Sequence, residues 1–74
     1  MDSIDLHGVL HRDVSDIIDK SLWDAMKLGK REIKIITGNS DKMKKIVSNR
    51  LSDYGFHFSV GDPINKGYIL VFLK

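Results

Sequence analysis

Apolar positions in this chain alternate, then recur at helical spacing, then repeat that cycle. Ser3 to Leu6 is a short alternation that places Ile4 and Leu6 on one side of a first strand. From about Arg12 to Leu28, Val14, Ile17, Ile18, Leu22 and Ala25 fall on one helical face, and Gly29 stops the helix. Glu32 to Thr37 reads as a largely buried strand carrying Ile33, Ile35 and Ile36. Thr37-Gly38-Asn39-Ser40 makes a turn, with Ser40 a good N-cap for a second helix. That helix runs from about Asp41 to Tyr54 on the face Met43, Ile46, Val47, Leu51 and Tyr54, and Gly55 closes it. Phe56 to Val60 alternates, with Phe56, Phe58 and Val60 against His57 and Ser59, as suits an edge strand. Gly61-Asp62-Pro63 breaks the chain, and Gly67 to Leu73 forms a last strand. That strand is apolar on both sides, which places it inside the sheet.

The order is therefore β-α-β-α-β-β. Right-handed crossovers make the first three strands parallel, and the last returns antiparallel to them. The predicted fold is α/β (α+β): a two-layer sandwich of two helices on one face of a four-stranded mixed sheet. The opposite sheet face, lined by Tyr68, Leu70 and Phe72 or by their neighbours, stays open unless a partner covers it. No repeat, low-complexity tract or linker divides the chain. It reads as a single domain over residues 1–74, either free-standing or part of something longer.

Composition narrows the choices. With no cysteine, neither disulfides nor a thiolate zinc site can staple so small a core. No apolar run approaches the ~20 residues of a membrane span. Met1-Asp2-Ser3 is acidic where a secretory signal is basic, so the expectation is a cytoplasmic domain. The net charge of +2 is unevenly spread. Residues 1–29 carry −3, residues 30–50 carry +5, and residues 51–74 balance. A basic middle suits a phosphate-binding surface; scattered lysines on a solvated helix give the same count.

The candidate chemistry sits at the ends of the parallel strands, where ligands of open α/β sheets bind. Three loops meet there by topology: His7 to Leu10, Thr37 to Ser40, and Gly61 to Lys66. Asp5 and His7, two apart on a strand, project together, and Gly8 lets the backbone turn or a ligand approach. A carboxylate beside an imidazole is an acid/base pair, or else a hydrogen-bonded pair that only orders the turn. Thr37, Gly38, Asn39 and Ser40 open the second helix, whose N-terminus favours an anion. Lys42, Lys45 and Lys66 add positive charge; the alternative is an ordinary strand-to-helix turn with a serine cap. His11 comes four residues after His7, but Gly8 intervenes, and no carboxylate cluster marks a metal site. Trp23 sits opposite Val14, Ile18 and Ala25, among Asp16, Lys20 and Lys27. An exposed ring there is either a partner contact or a cover for neighbouring side-chain stems.

Asp5-Leu6-His7-Gly8 after an aliphatic residue resembles the first signature of the small MutS-related (Smr) domain family. Arg31-Glu32-Ile33-Lys34-Ile35-Ile36 is similar to the family's next strand. Thr37-Gly38-Asn39-Ser40 resembles its second signature, His-Gly-x-Gly or Thr-Gly-x-Gly, with Ser40 in place of the last glycine. Phe56-His57-Phe58-Ser59 and Gly67 to Lys74 resemble its closing strands. The resemblance spans essentially the whole chain. It implies a fold like the C-terminal domain of bacterial translation initiation factor three. It also implies endonuclease activity on DNA or RNA, often linked to ribosomes and mRNA quality control. Asp5 and His7 would carry the catalytic positions. Thr37 replaces the second histidine of many members, which excludes a two-histidine mechanism.

The residues and the resemblance support two main readings. One is an endonuclease cutting RNA or DNA, with His7 as general acid or base and Asp5 orienting it. Gly8, Thr37, Gly38, Asn39, Ser40, Lys42, Lys45 and Lys66 would bind the substrate. RNA would supply its own 2′-hydroxyl and need no cofactor; DNA would require water, and with it a Mg²⁺ held by Asp5. The other reading is a non-catalytic module that binds nucleic acid or a ribosome. A third, protein docking, would use Trp23 or the open sheet face.

Overall fold

The computed structural model describes residues 3–61, 64 and 66–73. The predicted elements appear in the predicted order: β1 (Ser3–Asp5), α1 (His11–Lys27), β2 (Glu32–Ile36), α2 (Asp41–Tyr54), β3 (His57–Val60) and β4 (Tyr68–Phe72). The sheet order is β1-β2-β4-β3. β1 lies parallel to β2, while β4 runs antiparallel to both β2 and β3. β1, β2 and β3 thus share one direction, β4 is inside the sheet, and β3 is an edge.

Period-two geometry sends alternate residues of each strand to opposite faces of the sheet. Ile33 and Ile35 of β2 and Ile69 and Val71 of β4 point to the helices, and each is almost wholly buried. They meet Val14, Ile18, Leu22 and Ala25 of α1 and Met43, Val47 and Leu51 of α2, with Leu6 joining from the end of β1. Burying each large side chain stabilises the fold by about 1.5–3 kcal/mol before entropy is counted. The alternate positions Glu32, Lys34, Ile36, Tyr68, Leu70 and Phe72 form the open face, which settles the side of β4 that its pattern left undecided.

The helix ends differ. α2 starts at Ser40, whose side chain accepts the Met43 N–H. α1 has Leu10 at its N-cap position and no side-chain cap. Both helices end in a pair of crossed backbone bonds. Lys30 and Gly29 donate to Ala25 and Met26, and Phe56 and Gly55 donate to Leu51 and Ser52. Tyr54 departs from the expected core position and is half exposed. It sits in the last turn, with its ring beside the Arg50 guanidinium and edge-on to Phe56. Among the described residues, no helix is long and apolar enough to cross a membrane. The Gly61-Asp62-Pro63 break and the rest of the third loop fall largely outside the described residues, which retain Gly61, Ile64 and Lys66 there.

Candidate functional site

β1 ends at Asp5, and the chain turns at once. Leu6 still donates to the Ile36 carbonyl, extending the pairing, while the Val9 N–H closes a turn onto the Leu6 carbonyl at 3.0 Å. Gly8 has φ +82, which fits the third position of a type II turn and puts His7 at the corner. His7 is consequently exposed. The Asp5 carboxylate accepts the backbone N–H of His7 at 2.9 Å. It fixes the turn that presents the imidazole. The imidazole itself makes no hydrogen bond among the described residues.

The second turn meets the first. An ideal Cβ built on Gly38 would lie 3.9 Å from Cδ2 of the His7 ring. There is room for a methyl group, but φ is +67, so backbone conformation rather than crowding demands glycine. Thr37 is buried, and its hydroxyl donates to the Gly38 carbonyl at 3.0 Å. The N–H groups of Thr37 and Gly38 both donate to the Gly67 carbonyl at 2.9 Å. That carbonyl ties the end of the third loop, and with it the adjacent exposed Lys66, to the second turn.

Two donors expected to face an anion are thus already used inside the protein. The backbone donors left at this end are those of Gly8, Asn39 and Ser40 and of the first turn of α2. Asp41 and Lys42 have no acceptor within the helix there, and the Met43 N–H is taken by Ser40. Ser40 has φ −76, so the position needs no glycine to hold its shape. Asn39, Lys42 and Lys45 are exposed. Asp41 in the first turn opposes an incoming anion, and the two lysines offset it.

The turns of Asp5-His7-Gly8 and Thr37-Gly38 are therefore neighbours, and the Gly67 carbonyl brings the backbone next to Lys66 to the second of them. The Asp5 carboxylate and the imidazole are not hydrogen-bonded to each other. No group of three or more His, Cys, Asp or Glu able to hold a metal occurs among the described residues. Asp5 has one oxygen engaged by His7, so these residues do not by themselves fit a resident Mg²⁺.

A family model describes the same stretch of chain: the Smr domain, matched over residues 4–74. This chain belongs to the Smr domain family. The crystal structure of the Smr domain of Thermus thermophilus MutS2 superposes with a TM-score of 0.90 at 19% identity, covering 100% of this chain and 99% of that one. At that identity the likeness establishes the Smr fold. Comparison with curated proteins by sequence finds no match.

Away from the motifs, the Smr domain carries features that its sequence does not announce. At the far ends of the helices, Asp19, Lys20, Leu22, Trp23, Met26, Tyr54 and Phe56 line a groove of about 650 Å³. Trp23 is 62% exposed on its wall. Helical spacing predicts the exposure, but nothing in the spacing predicts the groove. Asp19 also pairs with Arg50 through two hydrogen bonds, linking α1 to α2 across 31 positions.

Proposed function

We propose that this Smr domain is an endonuclease of nucleic acid, with His7 as the catalytic residue and Asp5 as the residue that positions it. The observation that carries the reading is the adjacency of the two motif turns: an exposed imidazole whose Cδ2 lies 3.9 Å from where a Cβ on Gly38 would sit, just before the N-terminal end of α2. This is a place where a proton can be moved next to a bound anion. A phosphate there would meet the first-turn N–H groups, with Lys42, Lys45 and Lys66 balancing its charge. Gly8, Thr37, Gly38, Asn39 and Ser40 would shape the approach. The family supports the assignment, since Smr domains include DNA-nicking and RNA-cutting enzymes.

On RNA, the 2′-oxygen would bond to the adjacent phosphorus as the bond from phosphorus to the 5′-oxygen breaks. His7 would take the 2′ proton or supply one to the leaving oxygen. On DNA, water would be the nucleophile. Asp5 acts through the backbone of His7, so Asp5→Asn, which keeps an acceptor, should retain more activity than Asp5→Ala.

One observation favours the non-catalytic alternative, in which the same edge only binds nucleic acid or a ribosome. Among the described residues, no carboxylate pairs with the imidazole to stabilise its charged form. Cleavage of labelled structured RNA and supercoiled plasmid, each with Mg²⁺ and with EDTA, separates the readings. Wild type should cut and His7→Ala should not, while both bind alike. Equal cutting by both proteins removes His7 from catalysis. Salt-sensitive binding with no cutting in any lane leaves the binding module.

A further inference from the structure

We propose that the open sheet face binds single-stranded nucleic acid by stacking its bases on Tyr68 and Phe72, so that the substrate of the adjacent site is an unpaired strand. The inference rests on the nucleic-acid reading above and adds a substrate class to it.

Register puts the relevant side chains in rows. Asp5, Ile36 and Tyr68 lie side by side across β1, β2 and β4. Glu32, Phe72 and His57 make a second row across β2, β4 and β3. The first row ends at Asp5, whose carboxylate holds the His7 turn, so the face and the candidate site are continuous. A strand leaving that site across the sheet crosses Tyr68 and then Phe72, roughly 13 Å apart by strand rise. Phe72 is 38% exposed. Tyr68 is half-buried, with the Lys34 ammonium 4.4 Å from its ring centroid. That ammonium covers one face of the ring, so a base stacking there would displace it toward the base's own phosphate.

The chemistry selects the occupant. Aromatic rings on a central strand stack any exposed base, and each contact contributes to affinity without reading sequence. A duplex keeps its base faces inside the stack, so these rings offer it nothing. A protein partner fits less well, because interface cores are depleted of charge. Here Glu32 and Lys34 sit on an inner strand among the rings, with His57 and Ser59 beside them.

The test is fluorescence anisotropy with a short labelled oligonucleotide, single-stranded and as a duplex of the same sequence. The proteins are wild type, Tyr68→Leu, Phe72→Leu, and Lys42→Ala with Lys45→Ala. The leucine variants keep apolar bulk, and circular dichroism confirms their fold. Trp23→Leu, at the far ends of the helices, is the control ring. Wild type should bind the single strand about tenfold or more tighter than the duplex. Tyr68→Leu and Phe72→Leu should each weaken that binding about tenfold, and Trp23→Leu should not. Equal affinity for duplex, or single-strand binding untouched by both ring variants but weakened by the lysine pair, overturns the stacking face and leaves the nucleic-acid reading standing. Self-association abolished by the ring variants, with oligonucleotide binding unchanged, also overturns it, in favour of protein docking. No binding of either oligonucleotide overturns both readings.

Discussion

Ser40 stands where the family's second signature ends in glycine, and its geometry shows what the exchange does. Its φ is −76, and its side chain accepts the Met43 N–H at 3.1 Å. The serine stabilises the start of α2 in a conformation open to any residue. Ser40→Ala should therefore cost about 0.5–2 kcal/mol, whereas Ser40→Gly should cost only a few tenths. In a domain this small, ~1 kcal/mol lowers the melting temperature by roughly 4–8 °C, which thermal unfolding resolves. A Ser40→Ala protein that melts with wild type would show that the cap does not stabilise the helix. Asp5 departs from its local pattern in a related way. Its spacing from His7 predicts a side-by-side pair, but the turn begins before His7. The carboxylate meets the peptide N–H of His7 at 2.9 Å instead.

Between elements, the contact that joins α1 to α2 outside the core is polar. Arg50 Nε donates to Asp19 Oδ1 at 2.9 Å, and Nη2 donates to Oδ2 of the same carboxylate. The Arg50 hydrogen bond is the main reason the Asp19 carboxyl titrates below its ordinary range. Tyr54 is shifted the other way, held protonated to higher pH mainly by the neighbouring Asp19 carboxylate. A depressed carboxyl contributes stability above its unfolded value, near ~3.9, and that contribution disappears as pH falls through the folded value. The pair is about one-third exposed, so solvent screening keeps its worth small. Asp19→Asn should melt a few degrees lower than wild type at pH 7, and the gap should close in acid below about pH 4. A gap of constant size across that range would mean that the ion pair does not stabilise the fold.

For the whole molecule, one core shared by two helices and one sheet face carries the stability. No cysteine is present to reinforce it. Leu51 is wholly buried in that core. Leu51→Ala should cost about 2–5 kcal/mol, against a total of about 5–15 kcal/mol for a typical domain and less for a small one. Urea unfolding should show a much lower midpoint, or no folded baseline at all. A midpoint near wild type would mean that the core is not the single cooperative unit its packing indicates.

The sequence by itself determined the element order, the interior place of β4 in the sheet, and the buried face of β1, α1 and most of α2; which side of β4 faces the helices it left open. Periods of two and 3.6 residues are local properties, and right-handed crossovers leave few ways to connect them. It also marked the two turns that meet, because glycine and serine report backbone conformation and capping. Tertiary structure alone decided which polar groups those turns leave free. The Gly67 carbonyl takes the N–H groups of Thr37 and Gly38 from the far end of the chain. Asp19 finds Arg50 across 31 positions, and Trp23 faces a groove completed by Tyr54 and Phe56. Hydrogen-bond partners and concave surfaces depend on the separation of atoms distant in sequence, and no local pattern encodes that.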